Sequence, residues 1–356
     1  MAFFSKENRK NTFNGIWFVA LFAMSAIYLR NEFQIFQDLQ ISPLIIAILL
    51  GMIYGNFLKS QFPEQWTSGI TFSAKLILRG AIILYGFRLT FQQIMAVGIP
   101  GLAVDLIMVV STFLIGSVVA IKLLKLDKQT SFLTASGAAI CGAAAVLATE
   151  PVVKAEAHKS AIAISTVVLF GTLSMFLYPI LFQSGLLGSM DLPTYGIYVG
   201  ATVHEVAHVV GAGVSCGMVS CDTSVIIKMG RVIMLVPFLI ILGWYLAKST
   251  ASPDEKGSTK LVIPWFAVGF LAIAGFNSLN LLPTEMVKSI IFIDDFMLAM
   301  AMAALGLSTN FAKFKEVGMK PIYAALVMFL WLVVGGYFIT MGITSIMGSG
   351  GHAFGM

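Results

Sequence analysis

His204-Glu205-Val206-Ala207-His208 is the most recognisable chemical pattern in the chain. Two imidazoles at i and i+4 share one helical face and can hold a zinc ion, with the glutamate as base for a bound water. One reading is therefore an intramembrane zinc metalloprotease. No acidic motif elsewhere offers an obvious third ligand; Asp294 or Asp295 would serve only by arrangement of the fold. A second reading makes His204 and His208 hydrogen-bonding groups between helices. A third places His204 in a substrate site and Glu205 in a proton-coupling role, since ionisable groups inside a membrane are costly and functional by default.

Cations form the other chemical constellation. Lys228 and Arg231 lie one helical turn apart on one face, as do Lys75 and Arg79. Each charge near a bilayer centre costs about 2.5–3.5 kcal/mol on insertion scales, so these groups should face the bundle interior and find partners. Arg79, Lys228 and Arg231 are candidate ligands of an oxyanion, whose oxygens match the guanidinium fork. Asp294 and Asp295 are adjacent and project about 100° apart, so one is free to carry a proton while the other pairs with a cation. Asp105 is expected to partner a cation.

These side chains need a scaffold, and the stretch QTSFLTASGAAICGAAAVLATE (129–150) offers one. It is long and apolar enough for a membrane, yet its middle is almost all Gly, Ala, Ser and Cys. Gly137 and Gly142 each weaken a helix interior by about 1 kcal/mol relative to alanine. Two half-helices meeting near the midplane are expected, with Ser136, Gly137, Cys141 and Gly142 at the join. Free N–H groups at the second half-helix would favour an anion.

Composition defines the class. The 356 residues are 58% hydrophobic and only 11% charged, where soluble domains carry about 25% charge. With a mean hydropathy of +0.92, the chain reads as an all-α polytopic membrane protein. Its net charge of +5 points to basic loops rather than nucleic acid. The three cysteines are expected to be reduced, Cys216–Cys221 being the one pair able to bridge outside. With about 20 residues per span, eleven crossings are expected: 15–29, 42–58, 66–87, 95–121, 129–150, 160–183, 194–214, 223–247, 261–282, 286–310 and 321–346. Residues 1–14 form a cytoplasmic segment, 15–346 a single transmembrane transporter domain and 347–356 a flexible tail. The first span is read as uncleaved.

With the N-terminus inside, thirteen loop cations fall inside and five outside, which favours N-inside and C-outside in the plasma membrane. That count takes 129–150 as a full crossing. At an offset of 220 residues YGFRLTFQQIMAVG (85–98) echoes LGLSTNFAKFKEVG (305–318), and GAAICGAAAV (137–146) more weakly echoes GATVHEVAHV (200–209). Inverted repeats are the signature of secondary transporters, although the two echoes imply different pairings of spans.

Together SGAAICGAAAV with ATEPVVKA, YPILF, GATVHEVAHVV, KMGRVIMLVP and AMAALGLSTNF resemble the YeiH-type family of sulfate exporters over most of the length. The family is similar to the bile-acid symporter and sodium/proton antiporter superfamily. The resemblance implies a core with crossed discontinuous helices, a second panel-like domain, and export of sulfate or a related small inorganic or organosulfur oxyanion. By carry-over it puts Ser136, Gly137, Cys141 and Gly142 in the first crossing helix, His204 and Glu205 in the second, and Lys228 and Arg231 beside them. The position of His208 is commonly Gln in that family, which weighs against the protease. Coupling to protons or a cation is expected at Glu205 or Asp294. No cofactor, metal or enzymatic activity is expected. The lipid bilayer is the expected surrounding, and a homodimer is compatible with this reading.

Overall fold

The computed structural model describes residues 9–34, 36, 42–58, 63–188, 190–249, 265–309 and 318–347, and these form no strand. Most of the N-terminal segment, the tail from 348 on, and the basic stretches 250–264 and 310–317 lie outside the described residues. The chain groups into two compact units, Met1–Gln92 with Trp265–Ala312, and Gln93–Pro264 with Lys313–Met356. The stretch expected as one domain is thus divided between them.

The first unit holds α1 (Arg9–Glu32), α2 (Pro43–Phe57), α3 (Thr67–Arg88), α12 (Trp265–Ser278) and α13 (Thr284–Ser308). Its closest seam is α2 against α13. A Cβ on Gly51 would sit 2.4 Å from the Ala303 carbonyl oxygen, and one on Gly306 2.2 Å from that of Ile48. Small residues let the two backbones touch, which replaces the hydrophobic drive that lipid removes.

The second unit holds α4 (Phe91–Val118, prolonged by a π turn at Val119–Leu123), α5 (Lys128–Ala139), α6 (Ala143–Thr149), α7 (Ala157–Gln183), α8 (Leu192–Thr202), α9 (Val206–Val214), α10 (Met218–Ile233) and α11 (Leu235–Ser249). It ends with α14 (Met319–Leu330) and α15 (Gly336–Met347), continuous through a π turn. Sharp signals start its half-helices. Asp127 accepts a hydrogen bond from the Thr130 amide to cap α5, and Asp191 does the same from Thr194 for α8. Burial disfavours the Asp127 charge, but the bonds from Thr130 and Lys159 outweigh it and hold this carboxyl below its ordinary range.

The broken helix at 129–150 is present, but its course differs from the full crossing expected. At Gly142 the backbone takes φ 75°, and its amide folds back onto the Gly137 carbonyl. A chain reversal follows. A Cβ on Gly137 would meet Val146 at 2.7 Å, and at the base Gln129 donates to the carbonyl oxygen of Lys154. Lys159 reaches Asp127 at 3.1 Å. Residues 127–129 and 153–159 therefore lie at the same end of the unit, and α5–α6 is a helical hairpin.

The segment 192–214 repeats this design. α8 stops at Thr202, α9 starts at Val206, and Tyr195 Oη donates back to the Ala212 carbonyl at 3.4 Å. The two hairpins enter from opposite ends. Ala324 and Met328 of α14 pack with Ala135 and Ala138 of α5, whereas Gly336 of α15 meets Thr202, and Tyr337 donates to the Leu187 carbonyl. Among the described residues seven helices are long and apolar enough to cross a membrane, and α2 and α12 are shorter apolar helices. Neither hairpin is among these nine.

Candidate functional site

Four half-helix ends meet where the hairpin tips converge, and each carries an orphaned set of backbone groups. α5 and α8 bring carbonyl ends with partial negative charge; α6 and α9 bring amide ends with partial positive charge. Lys228 Nζ donates to the carbonyl oxygens of Ile140, at 2.9 Å, and Val203, the C-caps of α5 and α8. These caps are related by the offset of 63 residues that relates the weaker sequence echo. Arg231 donates through Nε to Ala139 O at 2.8 Å, and its terminal nitrogens reach the carbonyls of Ala139 and Ala201. Both side chains are fully buried. Two cations thus clasp two carbonyl ends.

Glu205 serves the amide end of α6. Its Oε1 accepts from the Ala143 N–H at 3.1 Å. Gly142 leaves the room: a Cβ there would stand 2.3 Å from Glu205 Cγ. The expected anion-binding amide end near Gly142 is therefore already occupied by this chain's own carboxylate. The amide end of α9 has no side-chain cap, because the residue matching Glu205 at the hairpin offset is Gly142 itself. Beside it His204 is 1% exposed and its Nδ1 has no partner. His208 Nδ1 stands 3.7 Å from Glu205 Oε2, and its Nε2 lies 3.4 Å from Thr172 Oγ1.

The other expected site residues distribute unevenly. Cys141 is buried and free within the first break. Ser136 donates back to the Leu133 carbonyl, and Gly137, in the last turn of α5, packs against Val146 and Val167 while its carbonyl accepts the Gly142 amide. Cys216 and Cys221 are not joined in a disulfide, and the Cys221 thiol points to the Val210 carbonyl. Arg79 departs from the expected cluster: it is an exposed residue of the first unit, with its guanidinium 5.9 Å from the Phe266 ring. Asp294 also belongs to the first unit. Arg88 bonds Asp294 at 3.1 Å and Asp295 at 2.6 Å, so one guanidinium pairs with two adjacent acids expected to point apart, while Asp294 Oδ1 keeps no hydrogen-bond partner. Arg88, one of the five cations counted outside, is a half-buried partner instead; the long fork bridges the angle between the two acids.

The sequence offers Asp105 only a generic cation partner. Its side chain is fully buried on α4, and neither carboxylate oxygen has a hydrogen-bond partner. A Cβ on Gly230 would lie 3.8 Å from its Oδ2, and its charged neighbours are Arg231 and Lys228.

The zinc pattern fails at the backbone. The break falls within His204–Glu205, so the two histidines do not ride one continuous helix. Among the described residues no three His, Cys, Asp or Glu groups gather to hold a metal.

Among the described residues, nine apolar helices and two opposed helical hairpins mark a polytopic all-helical membrane protein. The chain belongs to the family described as Conserved hypothetical protein 698, which matches residues 14–325, the family to which the sequence motifs pointed. Similar relatives are UPF0324 membrane proteins. That of Bordetella pertussis is 49% identical, over 92% of this chain and 94% of its own length. That of Bacteroides thetaiotaomicron is 46% identical over 93% and 98%, and that of Haemophilus influenzae 46% over 96% and 100%. Among solved structures, the sodium proton antiporter MjNhaP1 from Methanocaldococcus jannaschii overlaps 94% of this chain and 99% of that chain. At 14% identity and a TM-score of 0.31, that overlap carries no functional argument.

Proposed function

We propose that the protein is a secondary carrier of a small inorganic or organosulfur oxyanion, coupled to protons and not an enzyme. The observation behind this reading is the meeting of two hairpin tips, entered from opposite ends, at buried charged groups. Such a point is reachable in turn from either side of a membrane, which is what alternating access requires. The oxyanion would take the uncapped amide end of α9, next to His204. Lys228 and Arg231 would act at one remove, holding the carbonyl ends in place and adding positive field. Glu205, with His208 beside it, would hold the α6 end.

The two sequence echoes fit one inverted repeat if the second copy is circularly permuted. The offset of 220 relates α2, α3 and α4 to α12, α13 and α14–α15; the offset of 63 relates the first hairpin and α7 to the second hairpin and α10–α11. With nine crossings and two hairpins, every pair has opposite orientation. Lys154 and Lys159, two of the five external cations, then join the thirteen internal ones to make fifteen; with Arg88 paired to Asp294 and Asp295, the external count falls to two, Arg30 and Lys288. The bias for a cytoplasmic N-terminus and an external C-terminus grows.

Proteoliposomes preloaded with labelled sulfate test the reading. Efflux should exceed that of empty liposomes and be competed by sulfite or a short sulfonate. Absence of flux for all three anions would remove the carrier proposal.

A further inference from the structure

We infer that Asp105 is the proton-carrying group of this carrier, and that its ionised form competes with the hairpin carbonyls for Arg231. The inference rests on the carrier reading for its use, but its chemistry stands on geometry. A carboxylate with no exposed surface and no hydrogen bond at either oxygen is costly to keep charged. Two states relieve it: a proton, or a cation that moves to meet it.

Both are at hand. Asp105 faces α10 across the space left by Gly230, next in sequence to Arg231. Arg231 and Lys228 are its charged neighbours, and Cys141 and Glu205 face Lys228 in turn. Arg231 currently spends its donors on Ala139 and Ala201. An ionised Asp105 would draw the guanidinium from these carbonyls and loosen the grip on both tips. A protonated Asp105 would leave it there.

Charge bookkeeping at the tips favours the same coupling. With Lys228 and Arg231 protonated and Glu205 ionised, two positive charges stand against one negative, before Asp105 is counted. The sum is zero with Asp105 ionised and plus one with it protonated. A proton taken from the aqueous side that faces the site thus prepares it for one anionic charge. Proton and anion leave together on the other side.

Infrared difference spectroscopy of the purified protein in lipid nanodiscs reads this directly. A protonated-carboxyl C=O band should fall as pH rises, persist to higher pH when sulfate is present, vanish in Asp105→Asn and shift in Asp105→Glu. Wild-type and Asp105→Asn spectra that superimpose, or a band indifferent to pH, would overturn the inference. In proteoliposomes, wild-type sulfate uptake should drop by roughly tenfold per pH unit above the midpoint, as for one linked proton, and Asp105→Asn should be flat with pH. A variant with the wild-type profile would also overturn it. Should the wild type move no anion, the carrier reading fails while the infrared comparison still decides the role of Asp105.

Discussion

Lys228 spends its ammonium on backbone rather than on an acid, and this changes what the buried cations are for. A carbonyl at a helix end carries partial negative charge, and two such ends meeting in a low dielectric repel. A cation bonded to both removes the repulsion and satisfies orphaned acceptors together. Arg88 does the more familiar job. Its loss would strand Asp294, which is fully buried, as an unpaired charge. Arg88→Ala should cost about 3–5 kcal/mol, read as a fall in the thermal midpoint of the detergent-solubilised protein. Adding Asp294→Asn should recover part of that loss; a double variant no better than the single would show that the pair is not the cause. The Arg88 partnership was hidden because side-chain reach, not sequence spacing, decides which acids a guanidinium can bridge.

The hairpin is the element that decides topology. α5 has twelve residues and α6 seven, too short singly for the roughly 20 residues of a span. Laid end to end they would cross; folded back they cannot. Cysteine labelling separates the two. In a cysteine-free background, Lys128→Cys and Lys154→Cys should react with an impermeant maleimide from the same side of sealed vesicles. Reaction from opposite sides would restore the continuous crossing and break the permuted repeat. Composition foretold the interruption, because a run of small residues around Gly142 has little to hold a straight rod. It was silent about direction, since an apolar half-helix reads the same going up or coming back.

At the scale of the whole molecule, the nine crossings proposed above would leave the two termini on opposite sides. Alkaline phosphatase fused after residue 347 should be active, and a fluorescent protein at the same place dark. The reverse outcome would invert the loop-charge argument. The chain passes between the two compact units at three places, 92/93, 264/265 and 312/313; the first and last stand 220 residues apart, the spacing of the longer echo.

Legible from the residues alone are the membrane class, the apolar helices, the break at Gly142 and the pairing of Lys228 with Arg231 on one face. All of these follow from composition or from periodicity within a single element. Only the tertiary structure decided that the broken segments turn back as hairpins, that the cations clasp carbonyl ends, that Glu205 fills the amide end beside Gly142, and that Arg79 and Asp294 belong to another unit. Each of these depends on which backbone ends come within hydrogen-bond reach after folding, and no local pattern of residues encodes that distance.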